Sequence, residues 1–345
     1  MSISKLAEKL WETVGVKGVS ALCKPGQIRR EGIASIEMER KKMLILAQTE
    51  MEIEEIKSGK AIVSLNDFNN PKLISLEGPE QYDNSGKMEP YINIENLTKE
   101  VSTQLIAREI QKEVNIAKSI LIAENVLLSD QTQPKDENVE DDWLLRWRDS
   151  AAMSSSEKLQ QLWGSILAGE IKSPGTYSLR TIEFIKNLTQ KEASNIQKLF
   201  SYILFGRIIK GEALSDNFDN EHIDKELTFN FLSNMQALGV IAGAESMGLS
   251  TKFKSNSKES FKLHCIYNEK VMHVVHDDPN KLLEFNVLIL TPLGKELYSL
   301  CTSIIDSTYL NYVISVIKKQ GFKVIIGDIV KHSDGIMTSI NNVEV

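Results

Sequence analysis

The sequence predicts a mainly α protein that closes in an α+β domain. Three observations carry this reading. Apolar residues recur at helical spacing through two long segments, around 28–57 and 97–128. Hydroxyl and acid residues spaced as helix caps punctuate residues 143–205. The period then shifts toward two in the β-rich segments 261–267, 270–276 and 284–290.

A chain of 345 residues has room for two or three domains at roughly 150 residues each. With 42% hydrophobic and 25% charged residues it can bury a core. The formal charge of −7 argues against wholesale wrapping of nucleic acid. That charge is unevenly spread: residues 1–42 carry nine Lys/Arg against five Glu, whereas residues 129–142 hold six acids and one Lys. Three dispersed cysteines, Cys23, Cys265 and Cys301, do not form a disulfide framework and suit a reducing cytoplasm. No run approaches the ~20 apolar residues of a membrane-spanning helix, and charges from Lys5 onward interrupt any signal-peptide core.

In chain order, residues 1–60 read as N-terminal helices: a short one over 3–22 with Leu6, Leu10 and Val14 aligned, then a charged one from Ile28 to Lys57. Residues 61–96, with Pro71, Gly78, Pro79 and Gly86, read as a flexible loop. A long helix over 97–128 places Leu105, Ile106, Ile110, Val114, Ala117, Leu121 and Val126 near heptad spacing. An acidic linker, 129–142, leads into a helical bundle over 143–205. There, Ser154 and Glu157 are spaced as a capping box for a helix Glu157–Ala168, with Leu159, Leu162, Trp163 and Ile166 inward and Gly169 at its end. After the Ser173-Pro174-Gly175 turn comes a helix over 178–188, and Thr189 with Glu192 forms a second capping box. Residues 206–320 run helix 226–238, Leu238-Gly239-Val240-Ile241, strands, then Thr291-Pro292 opening another helix. This order resembles a winged helix. Residues 321–345 add one strand and a frayed tail.

Asp141-Asp142-Trp143-Leu144-Leu145-Arg146-Trp147, Leu159-Gln160-Gln161-Leu162-Trp163-Gly164-Ser165-Ile166-Leu167-Ala168-Gly169-Glu170, Ser173-Pro174-Gly175 and Ser178-Leu179-Arg180-Thr181 recur in a fixed order with Leu188-Thr189 and Glu192-Ala193. This block resembles the bacterial family called domain of unknown function 2806, a similarity expected to cover residues 25–305. Its core is Trp143, Trp147, Trp163, Gly164, Gly169, Pro174 and Gly175. The Leu162–Ala168 helix and the cap that follows have a lesser resemblance to the Abi-alpha abortive-infection group. The resemblance implies a role in phage defence and brings no catalytic residue.

Chemistry candidates are few. His264, Cys265, His273 and His276 crowd together, but His273 and His276 are expected on opposite faces of a strand, so no metal site is assigned. Lys172 and Arg180 flank a turn before a helix, which offers a candidate anion site; no Walker or dinucleotide fingerprint accompanies it. Trp143 and Trp147, with Arg146 and Arg148 between and beside them, have the composition of a base-stacking platform, yet their spacing of four fits packing on the bundle. No Gly-x-Ser-x-Gly elbow or cysteine signature supports a nucleophile. Lys252, Lys254, Lys258 and Lys262 are candidate phosphate or DNA contacts in the wing, whereas the candidate recognition helix has no Lys or Arg after Glu226. The expectation is a cytoplasmic, non-enzymatic interaction or effector protein without cofactor or metal, pairing with itself and with another protein. The alternatives are a winged-helix nucleic-acid-binding regulator and a membrane-surface effector acting through the N-terminal helix.

Overall fold

A computed structural model of the chain describes residues 4–16, 48–58, 61–64, 72–75, 94–130, 132–211, 221–244, 249–301, 303–331 and 337–345. Two units divide it, Met1–Ile182 and Glu183–Val345. The architecture is mainly α, with two four-stranded antiparallel sheets in the second unit.

The first unit contains α1 (Lys5–Val16), helical residues 48–57 (α2), a hairpin of β1 (Ala61–Ser64) and β2 (Lys72–Ser75), then α3 (Ile94–Leu128), α4 (Asp141–Ala152) and α5 (Glu157–Lys172). In α1, Leu6, Ala7, Leu10, Trp11 and Val14 share one side and are all buried, packed on α3 and α5. The polar side of α1 is fastened to the acidic linker: Lys9 Nζ donates to the carbonyls of Lys135 at 2.7 Å and Glu137 at 2.6 Å. Trp11 Nε1 donates to Glu124 at 2.8 Å. Helix α3 is the axis. Val114, Ile116, Ala117, Ile120, Leu121 and Ala123 are buried, because α1, α4 and α5 all pack on it. Leu105 and Val126 of the expected heptad stripe are exposed, so α3 is surrounded through its middle rather than zipped along one seam. Gly164 permits the closest approach. A Cβ there would lie 2.5 Å from Ile122 Cγ2 and 2.9 Å from the Ser119 carbonyl.

Several sequence readings are corrected here. The cap of α5 is Ser156, whose hydroxyl accepts from Leu159 N. Ser154 instead faces inward, donating to the Ser150 carbonyl at 3.0 Å and accepting from Trp163 Nε1 at 2.8 Å. The side of α5 that packs inward also differs: Leu159 is 41% exposed and Gln160 is buried in its place. Gln160 is accommodated because its amide reaches Asn115 Oδ1 at 3.3 Å and the Ser154 carbonyl at 3.2 Å. The helix also runs through Gly169 to Lys172, with Gly169 set against the ring of Tyr177. Within the expected loop, β1 and β2 pair. Residues 17–47 of the two expected N-terminal helices lie outside the described residues.

Helix α6 (Leu179–Lys186) spans the division between units. The second unit continues with α7 (Gln190–Phe200), β3 (Arg207–Gly211), α8 (Glu221–Glu226), α9 (Phe229–Ala237), β4 (Ile241–Ala242) and β5 (Leu249–Phe253). Thr189 and Glu192 make the expected reciprocal capping box at α7. There follow the hairpin β6 (Phe261–Tyr267) and β7 (Lys270–His276), then β8 (Leu283–Leu290), α10 (Pro292–Leu300), α11 (Ser307–Lys319), β9 (Lys323–Lys331) and β10 (Met337–Glu344). In the first sheet β8 is central, with β3 on one flank and β4 and β5 in tandem on the other. The second has the order β10-β9-β7-β6. Strand β6 alternates strictly, burying Phe261, Leu263, Cys265 and Tyr267. Its turn to β7 uses Asn268 and Glu269, both at positive φ (43° and 63°), the conformation two-residue hairpins require. The final residues, expected to fray, form β10. Met337, Ile340 and Val343 stay exposed, so the strand is held by its main-chain ladder with β9 and carries little apolar signal.

Candidate functional site

The motif block is a scaffold in which every tryptophan is buried and every indole N–H is engaged. Trp143 Nε1 donates to the Tyr177 carbonyl at 2.7 Å and Trp147 Nε1 to the Trp163 carbonyl at 2.9 Å. The Trp163 indole closes the set through Ser154. No indole face remains for a base.

Beside this scaffold the turn after α5 folds over a buried carboxylate. Glu170 accepts from Gly175 N at 2.5 Å and Tyr177 N at 3.0 Å. Burial pushes its carboxyl up from the ordinary glutamate range, against the pull of those N–H groups and of Thr176 N. These N–H groups of the turn are therefore occupied by the chain's own carboxylate. Lys172 is likewise engaged, 2.6 Å from Asp130, and that contact holds the Asp130 carboxyl down at about 2. Arg180 is exposed. A hollow of about 380 Å³ lies here, lined by Glu137, Glu140, Glu170, Trp143, Pro174 and Tyr177 among others. The capture of Glu170 by the turn has no signal in the sequence, where Gly169 reads as the helix end.

The four candidate lysines of residues 252–262 separate. Lys252 pairs with Glu284 at 2.7 Å. Lys254 and Lys258 line an open cleft of about 490 Å³ with Ser255, Ser257, Pro279, Asn280 and Leu282. Lys262 is exposed on β6, and its main chain is bonded to Ser255 and Asn256.

The histidines also separate. His264 and His273 are register partners, symmetric about the Asn268-Glu269 turn, and their Nδ1 atoms stand 2.7 Å apart. His276 accepts from Asp278 N at 3.0 Å and meets Lys281 Nζ at 3.2 Å. Cys265 points to the buried face, accepting from Phe205 N at 3.3 Å, and burial pushes its thiol up to about 11. Among the described residues, no group of three or more His, Cys, Asp and Glu side chains is arranged to hold a metal ion.

On α9, Leu232 and Met235 are buried, while Phe229 is 64% exposed and Asn230 and Asn234 face outward. No helix among the described residues is long and apolar enough to cross a membrane.

Fold and surfaces together define a two-unit protein: a helical unit built round a tryptophan motif, and an α+β unit presenting a helix face and a lysine-lined cleft. The chain belongs to the family described as protein of unknown function DUF2806, whose sequence model matches residues 101–314. The match starts within α3, later than the expected residue 25, and ends within α11. No curated protein and no solved structure matches the chain.

Proposed function

We propose that the chain is a non-enzymatic interaction protein whose second unit is a winged helix, and that the outward face of α9 docks a protein partner. The winged-helix reading is supported by the order α7, β3, α8, α9, β4/β5, β8 and by the place of β8 between β3 and β4/β5. On this reading the β6–β7 hairpin elaborates the wing.

The observation that carries the function is the surface of α9. A helix that docks in a DNA groove brings Lys or Arg to base edges and phosphates. Phe229–Ala237 contains no Lys or Arg, and its most exposed large hydrophobic side chain is Phe229. An exposed aromatic beside Asn230 and Asn234 has the chemistry of a protein-contact anchor. The membrane-surface reading loses its support from α1, whose apolar side is spent inside the first unit. We also propose self-association, drawing on Val101, Leu105, Val126 and Leu128, which α3 leaves exposed. The cytoplasmic, phage-defence setting rests on the sequence resemblance alone.

The test is protection of a bacterial host challenged with phages. The wild-type chain, a dimer or larger by light scattering, is expected to protect. Phe229→Asp is expected to abolish protection while its melting midpoint stays unchanged. Full protection by a folded Phe229→Asp variant would sink the α9 reading.

A further inference from the structure

The cleft beside the wing has features that the α9 reading does not use. Lys254 and Lys258 line it together with Ser257, Pro279, Asn280 and Leu282, and no carboxylate is among the lining residues. Neither lysine makes an ion pair among the described residues, unlike Lys252, which Glu284 neutralises. Glu259, Asp277 and Asp278 are nearby in sequence but outside the lining.

The loop that presents the lysines is internally held. Ser255 Oγ contacts the carbonyls of Ser257 at 2.7 Å and Ser260 at 2.8 Å, and accepts from Ser257 N at 2.9 Å and Lys262 N at 3.1 Å. Much of the loop's main chain is turned to the chain's own oxygens. Asn256 N goes to the Lys262 carbonyl, Glu259 N to Ser257 Oγ, and Asn280 N to Asp278 Oδ1. These N–H groups are held by the chain itself and are not offered to a small anion. The lining offers two ammonium groups and the side-chain donors of Ser257 and Asn280 on an open wall. Such a set attracts negative charge without enclosing it, and suits a polymer whose phosphates repeat along the surface.

We propose that this cleft binds the phosphate backbone of a nucleic acid through Lys254 and Lys258, without reading sequence. The site is separate from the outward face of α9, so each can fail alone.

The experiment is fluorescence anisotropy of a labelled mixed-sequence duplex with the full chain across a salt series. Wild-type affinity is expected to fall linearly with salt on logarithmic axes. The Lys254→Ala/Lys258→Ala variant should lower that slope by roughly 1.8, about 0.9 for each phosphate no longer neutralised. Lys252→Ala, removing a lysine already paired, should leave the slope unchanged, and so should Phe229→Asp. Inorganic phosphate should compete no better than another salt of equal ionic strength. Failure of wild type to bind at low salt would overturn the proposal. So would an unchanged slope in the double variant, or an equal loss in Lys252→Ala or Phe229→Asp. Competition by inorganic phosphate well beyond its ionic-strength effect would overturn the assignment to a polymer and make this a site for a free anion.

Discussion

Helices α5 and α9 begin alike and end in opposite roles. Each is capped by a hydroxyl, Ser156 in one and Thr228 in the other, accepting from the main-chain N–H three residues on. Helix α5 then buries half its length, including two polar residues, Gln160 and Glu170, and satisfies both from within the first unit. Helix α9 buries Leu232 and Met235 and turns an aromatic ring to solvent. A helix that spends polar groups inward is committed to its fold. One that leaves an aromatic outside has surface to give a partner. The pair shows why the most distinctive residues of the sequence, the tryptophans and glycines of the motif, are scaffold, while the surfaces free to bind lie elsewhere.

The same deletion made in both helices is the strongest way to break that comparison. Trp163→Ala should cost ~3–5 kcal/mol in urea unfolding, since it empties a core site and strips the Ser154 hydroxyl of its donor. Phe229→Ala should change stability by no more than ~0.5 kcal/mol, as a surface change does. Similar costs for the two would mean that α9 is covered or α5 is not. Between these extremes lies Gly164→Ala. Its new methyl would meet the branched Ile122 side chain and a main-chain carbonyl, neither of which yields like the tip of a flexible chain. An overpacking cost of about 1–3 kcal/mol is expected, where an open helix site would gain from alanine. A stabilised Gly164→Ala protein would show that α3 and α5 are not in this close contact.

Much of this fold was legible because its signals are local. The Thr189/Glu192 box, the Thr291-Pro292 helix start and the alternation of 261–267 each lie within a few residues, and the structure places them as read. What failed depended on distant partners. Ser154 looked like a cap because nothing nearby reveals that Trp163 will claim its hydroxyl. Leu159 looked buried because helical period fixes spacing, not which side meets α3. Strand β10 was invisible because its pairing lies in the main chain. At the candidate sites, lysine density was legible, but the neutralisation of Lys252 by Glu284 depends on β5 lying beside β8. The pairing of His264 with His273 was recoverable, since a two-residue turn at Asn268-Glu269 makes those positions opposite.

That histidine pair gives the smallest expected effect, and it tests whether the second unit carries polar strain that the first avoids. The two Nδ1 atoms, 2.7 Å apart, can share one hydrogen but not carry two. His273 Nε2 is buried without a partner, so a charged ring there has nowhere to place its second hydrogen. Burial, and then the neighbouring His264, hold the His273 imidazole below its ordinary value of 6.5. By register, Lys262 and Lys323 share this face of the sheet and add positive charge. The sign follows from proton counting: the unfolded chain takes up a proton near 6.5, and the folded chain resists it until a lower pH. Stability is therefore full above 6.5, falls as pH drops from there toward the depressed folded value, and levels off below it. Melting midpoints measured across that window should decline for the wild type and decline less for His273→Leu, which keeps the packing and removes the titration. An identical decline in His273→Leu would assign the acid sensitivity to other groups. The pair would then be an ordinary cross-strand contact, no more strained than the satisfied polar groups around α5.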